Sequence, residues 1–210
     1  MQLKSSNQIH TKGFYFFLSA QFLSALADNA LLFAAIALLT KLEAPNWHQP
    51  LLLQFFVLSY IVLAPFVGAF ADAWPKRQVL FISNSIKLIG CLAMLFGIPP
   101  LYAYGIVGIG AAAYSPAKYG ILTEILPDKS LVAGNGWVEG STVAAIILGA
   151  IFGGVIAVYD VDLAIIAISI LYVIAAIFNK YMPNFKFSTI NICSNCSVRQ
   201  ACINKFYLIF

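Results

Sequence analysis

Long apolar runs broken by short polar turns dominate the chain. They extend approximately over Phe14–Thr40, Leu51–Ala71, Gln78–Gly97, Leu101–Leu126, Leu131–Tyr159 and Leu163–Met182. About 20 apolar residues span a hydrocarbon core of roughly 30 Å, so each run is long enough to cross a bilayer as a helix. None shows the ten-residue alternation of a membrane β-barrel. The pattern therefore predicts an all-α, polytopic membrane protein with six transmembrane helices packed as one bundle. The first run is too long for the apolar region of a signal peptide and carries Asp28-Asn29 inside it, so it reads as a retained helix.

Composition agrees with this class: 61% of residues are hydrophobic, 10% are charged, and mean hydropathy is +0.89. The formal net charge of +4 comes from cations that gather on one side of the predicted helices. Lys4 and Lys12 precede the first helix, Lys76 and Arg77 separate the second and third, Lys129 separates the fourth and fifth, and Lys180 and Lys186 follow the sixth. Lys41 is the cation of the other side, where Ile98-Pro99-Pro100 and Asp160-Val161-Asp162 form turns. The positive-inside rule then places the N-terminus and residue 183 onward in the cytoplasm. The charge reports topology and gives no basic, aromatic-interleaved stripe for nucleic acid.

The polar positions inside the apolar runs carry the chemistry. A charged group at the centre of a membrane helix costs roughly 3 kcal/mol or more to insert, so it marks a site or a pathway by default. Gln21, Ser24 and Asp28 recur at i, i+3 and i+7 and form one stripe on the first helix, with Asn29 beside it. The first helix should turn that face inward. Lys87 lies too deep in the third helix to reach the interface, and needs Asn84, Asp28 or a bound anion as partner. Lys118 follows Pro116, which should disturb the hydrogen-bond ladder of the fourth helix. It can face a cavity, reach the headgroups, or pair with Glu139 at similar depth on the fifth helix. Gly136, Gly140, Gly149, Gly153 and Gly154 give that helix small-residue spacings suited to close packing.

Gly68-Ala69-Phe70-Ala71-Asp72-Ala73-Trp74-Pro75-Lys76-Arg77 joins the second and third helices. Gly68 permits close helix approach, and Asp72 can pair with Lys76, Arg77 or the start of the third helix, making a latch that breaks when helices rock. This segment resembles the loop 2–3 signature of the major facilitator superfamily, with Pro75 where the signature usually has glycine. Gly140, Gly149 and Gly153 echo that superfamily's antiporter spacing without its proline, a weak pointer to coupling-ion exchange. Three further blocks, residues 20–33, residues 64–68 and residues 108–122 with Ser115-Pro116-Ala117-Lys118-Tyr119-Gly120 at their heart, resemble the bacterial lysophospholipid transporter family within it. The likeness covers about residues 14–183.

That resemblance implies the N-terminal half of a transporter importing lysophospholipids across the bacterial inner membrane by alternating access. Reacylation by a partner acyltransferase–acyl carrier protein synthetase would follow. Asp28 would meet a headgroup ammonium or be protonated, Lys118 a phosphate, and Gln21, Ser24, Asn29 and Lys87 would complete the substrate-binding set, unless Asp28 is merely paired within the bundle. A second half or a homodimer would be the protein partner. A non-transporting remnant, or a transporter of another small amphiphile, is the alternative. No catalytic constellation, cofactor motif or metal-ligand spacing stands out; His10 and His48 read as surface residues, and Cys193-x-x-Cys196 with Cys202 lacks a fourth ligand. Composition changes after Pro183, so residues 184–210 read as a divergent cytoplasmic tail, truncated or frame-shifted, appended to a bundle of residues 1–183.

Overall fold

A computed structural model describes residues 12–182; the segment after Pro183, with its cysteines, lies outside the described residues. Six α-helices follow one another: α1 Lys12–Lys41, α2 His48–Ala73, α3 Lys76–Leu95, α4 Pro100–Ile125, α5 Leu131–Tyr159 and α6 Val161–Tyr181. There is no strand among the described residues. The ends follow local chemistry. Gly97, at φ +85°, ends the turn after α3, and Pro100 opens α4 at a position where a missing N–H costs nothing. The Asp160 side chain accepts the Asp162 N–H at 2.9 Å and caps α6.

Five of the helices are long and apolar enough to span a membrane by composition alone; α4 is the exception. Its glycines and tyrosines, with Ser115, Pro116 and Lys118, lower its hydropathy, and most of one flank is buried against other helices. A helix walled by protein has less need of a lipid-like surface. The helix continues through Pro116 to Ile125 without a break, although Pro116 has no N–H to give the ladder.

Apart from α3 and α4, chain neighbours are not the main packing partners. Although the turns are short, α2 scarcely touches α1 or α3. The close pairs are α1 with α5 and α6, α3 with α4 and α6, and α2 with α4, giving a spatial series α5–α1–α6–α3–α4–α2. α2 and α5 terminate this series and flank its open side. Small residues set the closest approach: a Cβ at Gly149 would lie 2.6 Å from the Leu26 carbonyl oxygen, and one at Gly153 would collide with Ala30. Gly136, Gly140 and Gly154, by contrast, face open space, so the packing role expected of all five glycines belongs to two of them. A Cβ at Gly68 would likewise meet nothing within 4 Å among the described residues.

Two larger clusters fill the core. One, around Leu31, Tyr104, Ile165, Ile168 and Tyr172, occupies the half nearer the α1 C-terminus. The other, around Phe14, Phe17, Leu80 and Ile121, occupies the opposite half. The polar residues lie between them. Outward faces are apolar, with Val57, Leu58, Ile61, Val62 and Phe66 exposed on α2 and Val143, Ile147, Ile151 and Val155 on α5. Such continuous patches suit hydrocarbon rather than water.

Candidate functional site

Asp28 lies 16 residues along a 30-residue helix, near its middle, roughly 24 Å from the start at ~1.5 Å per residue. Its two carboxylate oxygens have different partners. Lys87 approaches Oδ2 at 2.7 Å, and the Tyr172 hydroxyl donates to Oδ1 at 2.8 Å. Lys87 also donates to Ser24 Oγ at 3.1 Å, and its ammonium lies 4.7 Å from the centroid of the Tyr114 ring. Ser24 in turn donates to Asn84 Oδ1 at 2.8 Å. The result is a polar network joining α1, α3 and α6 at mid-depth. The Lys87 side chain is 2% exposed, and a carboxylate, a hydroxyl and an aromatic face surround its ammonium group.

Of the partners foreseen for Lys87, the structure selects Asp28; Asn84 bonds to Ser24 instead. Asp28 is thus paired within the bundle. Each oxygen accepts one bond here, and the carboxylate, 23% exposed and with acceptor sites to spare, still borders a cavity.

A second polar group lies nearer the α1 N-terminus. Gln21 Nε2 donates to Thr142 Oγ1 at 3.2 Å and links α1 to α5. Lys118 pairs with Glu139 Oε1 at 3.2 Å, the Tyr119 hydroxyl donates to the same oxygen at 3.0 Å, and Lys118 lies 4.8 Å from the Tyr119 ring centroid. Here the exposure is uneven, 10% for the Lys118 side chain and 51% for that of Glu139. Asn29 turns its amide back to the Ala25 carbonyl at 2.8 Å, leaving its oxygen for other company.

All six residues singled out from sequence, Gln21, Ser24, Asp28, Asn29, Lys87 and Lys118, line one cavity of about 310 Å³. It lies between α1 and α4, with Leu53, Phe56 and Tyr60 of α2 and Thr142 and Ile146 of α5 as side walls. A cavity lined by Lys87, Lys118 and Asp28, two amides, several hydroxyls and an apolar margin suits an amphiphile with a small charged head. Tyr172 and Thr142 escaped the sequence reading. Tyr172 carried a usable signal: a tyrosine eleven residues into a 21-residue apolar helix needs a partner for its hydroxyl.

The latch segment is only partly placed. α2 ends at Ala73 and α3 begins at Lys76, as the motif requires, but the Asp72 side chain lies outside the described residues. Lys76 Nζ reaches the Ala71 carbonyl at 3.4 Å, while Arg77 donates to the Met182 carbonyl at 3.0 Å. One cation of the motif therefore ties α3 to the end of α6. Among the described residues no group of His, Cys, Asp and Glu is arranged to hold a metal.

Comparison with known proteins gives consistent matches. The family model of the Major Facilitator Superfamily matches residues 17–184. The lysophospholipid transporter LplT of Yersinia enterocolitica is 47% identical over 182 residues, covering 87% of this chain and 45% of the relative. LplT of Klebsiella pneumoniae is 48% identical over 175 residues, 83% of this chain and 44% of the relative. LplT of Yersinia pestis is 50% identical over 166 residues, 79% and 41% respectively. The chain thus spans less than half the length of the curated relatives it matches.

Proposed function

This chain belongs to the major facilitator superfamily, and from that premise we propose that it forms one six-helix half of a lysophospholipid transporter of the bacterial inner membrane, with its N-terminus in the cytoplasm. The reading rests on one observation above all: the mid-depth cavity whose polar wall includes Gln21, Ser24, Asp28, Asn29, Lys87 and Lys118 and whose side walls are largely apolar. The likeness to LplT proteins supports the same substrate class. A lysophospholipid has a phosphate for Lys118, hydroxyl and ester oxygens for the amides, and one acyl chain for the apolar margin. Lys87 and Asp28 also form a strut in this scheme, holding α1 against α3 and α6 while headgroups pass.

Alternating access rocks one half-bundle against another around a midplane site. The open side between α2 and α5 is where a second six-helix unit would close the cavity, whether supplied by further sequence, a separate chain or a second copy. The Lys76–Arg77 turn lies where such rocking would be felt, and with Asp72 it is the proposed latch. A membrane acyltransferase–acyl carrier protein synthetase is the consumer that the family resemblance implies.

The test is uptake of labelled lysophospholipid into cells or vesicles containing this chain alone and together with a second half. Uptake should require both halves and should fall at least about tenfold with Lys118→Ala, as expected when a charged partner of a bound phosphate is removed. Unchanged flux in Lys118→Ala, or no flux in any combination, would refute the proposal.

A further inference from the structure

Asp28 and Lys87 line the cavity; Tyr172, fully buried in the apolar cluster with Ile165 and Ile168, is not among the lining residues, yet it holds one of the Asp28 oxygens. A carboxylate has about four acceptor sites, and this one uses two, so it keeps capacity for a ligand's N–H. Where that capacity points depends on how the group is turned. The terminal torsion of an aspartate is broad and roughly two-fold, so the side chain sets no orientation by itself. Lys87 alone would not set it either, because an ammonium is a compact charge with three rotatable donors and can take both oxygens of a freely turning carboxylate. The Tyr172 hydroxyl removes that freedom by donating to Oδ1 at 2.8 Å while Lys87 donates to Oδ2 at 2.7 Å. α6 brings the hydroxyl to a defined place: the helix is tied to α1 at one end by Lys41–Asp162 at 2.8 Å, and to α3 at the other by Arg77 and the Met182 carbonyl at 3.0 Å.

We propose that Tyr172 is a positioning residue of the substrate site: by holding Oδ1 it confines Lys87 to Oδ2 and keeps the remaining acceptor sites of Asp28 turned to the cavity, within reach of a headgroup ammonium. This rests on the lysophospholipid reading above and deepens it. Lys87 does not stand in the way, because Ser24 Oγ at 3.1 Å and the Tyr114 ring at 4.7 Å keep hold of its ammonium when Asp28 accepts a further donor. Without the Tyr172 hydroxyl the carboxylate turns to meet Lys87 with both oxygens, and an incoming ammonium loses its acceptor. A glycerol headgroup, which carries no positive charge, loses less. Tyr172 therefore acts on headgroup choice from outside the cavity, through Asp28 alone.

The experiment is native mass spectrometry of the full chain, purified in detergent and incubated with equimolar lysophosphatidylethanolamine and lysophosphatidylglycerol. Tyr172→Phe should lower the ethanolamine-to-glycerol occupancy ratio about fivefold, within the range of couplings between residues in contact, while the glycerol lipid stays bound. Replacing Tyr172 by 4-aminophenylalanine, whose amino group donates in the hydroxyl's place, should restore the ratio. Replacing it by 4-fluorophenylalanine, which fills the same space without a donor, should lower the ratio and stands in if the phenylalanine variant does not fold. In an Asp28→Asn/Lys87→Met background, where neither charge is stranded, Tyr172→Phe should leave the ratio unmoved. A Tyr172→Phe ratio equal to the parent's, a fall of the same size without Asp28, or parallel loss of both lipids overturns the inference and leaves the functional reading standing. If the unsubstituted chain retains neither lipid, both fall.

Discussion

Replacing Asp28 by asparagine should be far more harmful to the fold than its partial exposure suggests. The carboxylate neutralises Lys87 at 2.7 Å, where the lysine side chain is 2% and the aspartate side chain 23% exposed. At an effective dielectric constant of about 20, unit charges at that separation attract by about 6 kcal/mol, most of it offset by the cost of taking both from water. Removing one partner leaves that cost without the attraction, and the typical penalty is about 3–5 kcal/mol. Lys87→Met should cost less than Asp28→Asn, because the stranded group is then a carboxylate that borders the cavity and is 23% exposed. The double variant Asp28→Asn/Lys87→Met should recover about 2 kcal/mol or more relative to the sum of the single losses. Reversible unfolding by sodium dodecyl sulfate in mixed micelles, followed by circular dichroism, measures all four proteins on one scale. An Asp28→Asn variant as stable as the parent, or a double variant whose loss equals the sum of the two, would refute the strut.

Two further outcomes follow from contacts elsewhere in the bundle. Tyr172→Phe removes the hydroxyl that holds Asp28 Oδ1 at 2.8 Å and should cost about 1.5–3 kcal/mol in the same unfolding assay, the range for hydrogen bonds to a charged acceptor; no change would mean that Oδ1 is satisfied by another donor. Gly153→Val should force α5 away from Ala30 and destabilise by at least about 1–3 kcal/mol, whereas Gly140→Ala, with open space around it, should be neutral; equal effects would contradict the α1–α5 packing.

The helices were largely legible because a bilayer leaves little choice: runs of this length and apolarity must satisfy their backbone internally. The polar stripe of α1 was legible too, since periodicity places Gln21, Ser24 and Asp28 on one face whatever the neighbours do. What a single helix cannot reveal is which other helix it meets. Lys87 had three possible partners on sequence grounds, and the choice depended on α1, α3 and α6 converging. Glycine spacing misled for a related reason. The same small-residue pattern runs along α5, but only Gly149 and Gly153 meet α1 at close range; Gly136 and Gly140 border a groove shared with Leu18 and Phe22, and their spacing carries no record of that.

The order of packing in space also sets an order in time. α1 is made before α2–α6, yet the groups that complete it come from far along the chain: Thr142 lies 121 residues after Gln21, and Tyr172 lies 144 residues after Asp28. At a synthesis rate of about 5–20 residues per second, the aspartate spends roughly 7–30 s without its tyrosine. Lys87 arrives within less than half that interval, 59 residues on. A nascent α1 is therefore a helix with a costly acid at its centre and no settled position in the bilayer. The final helix is what fixes the first, so a chain halted before α6 would carry every headgroup contact named above and still lack the hydroxyl that holds Asp28 in place.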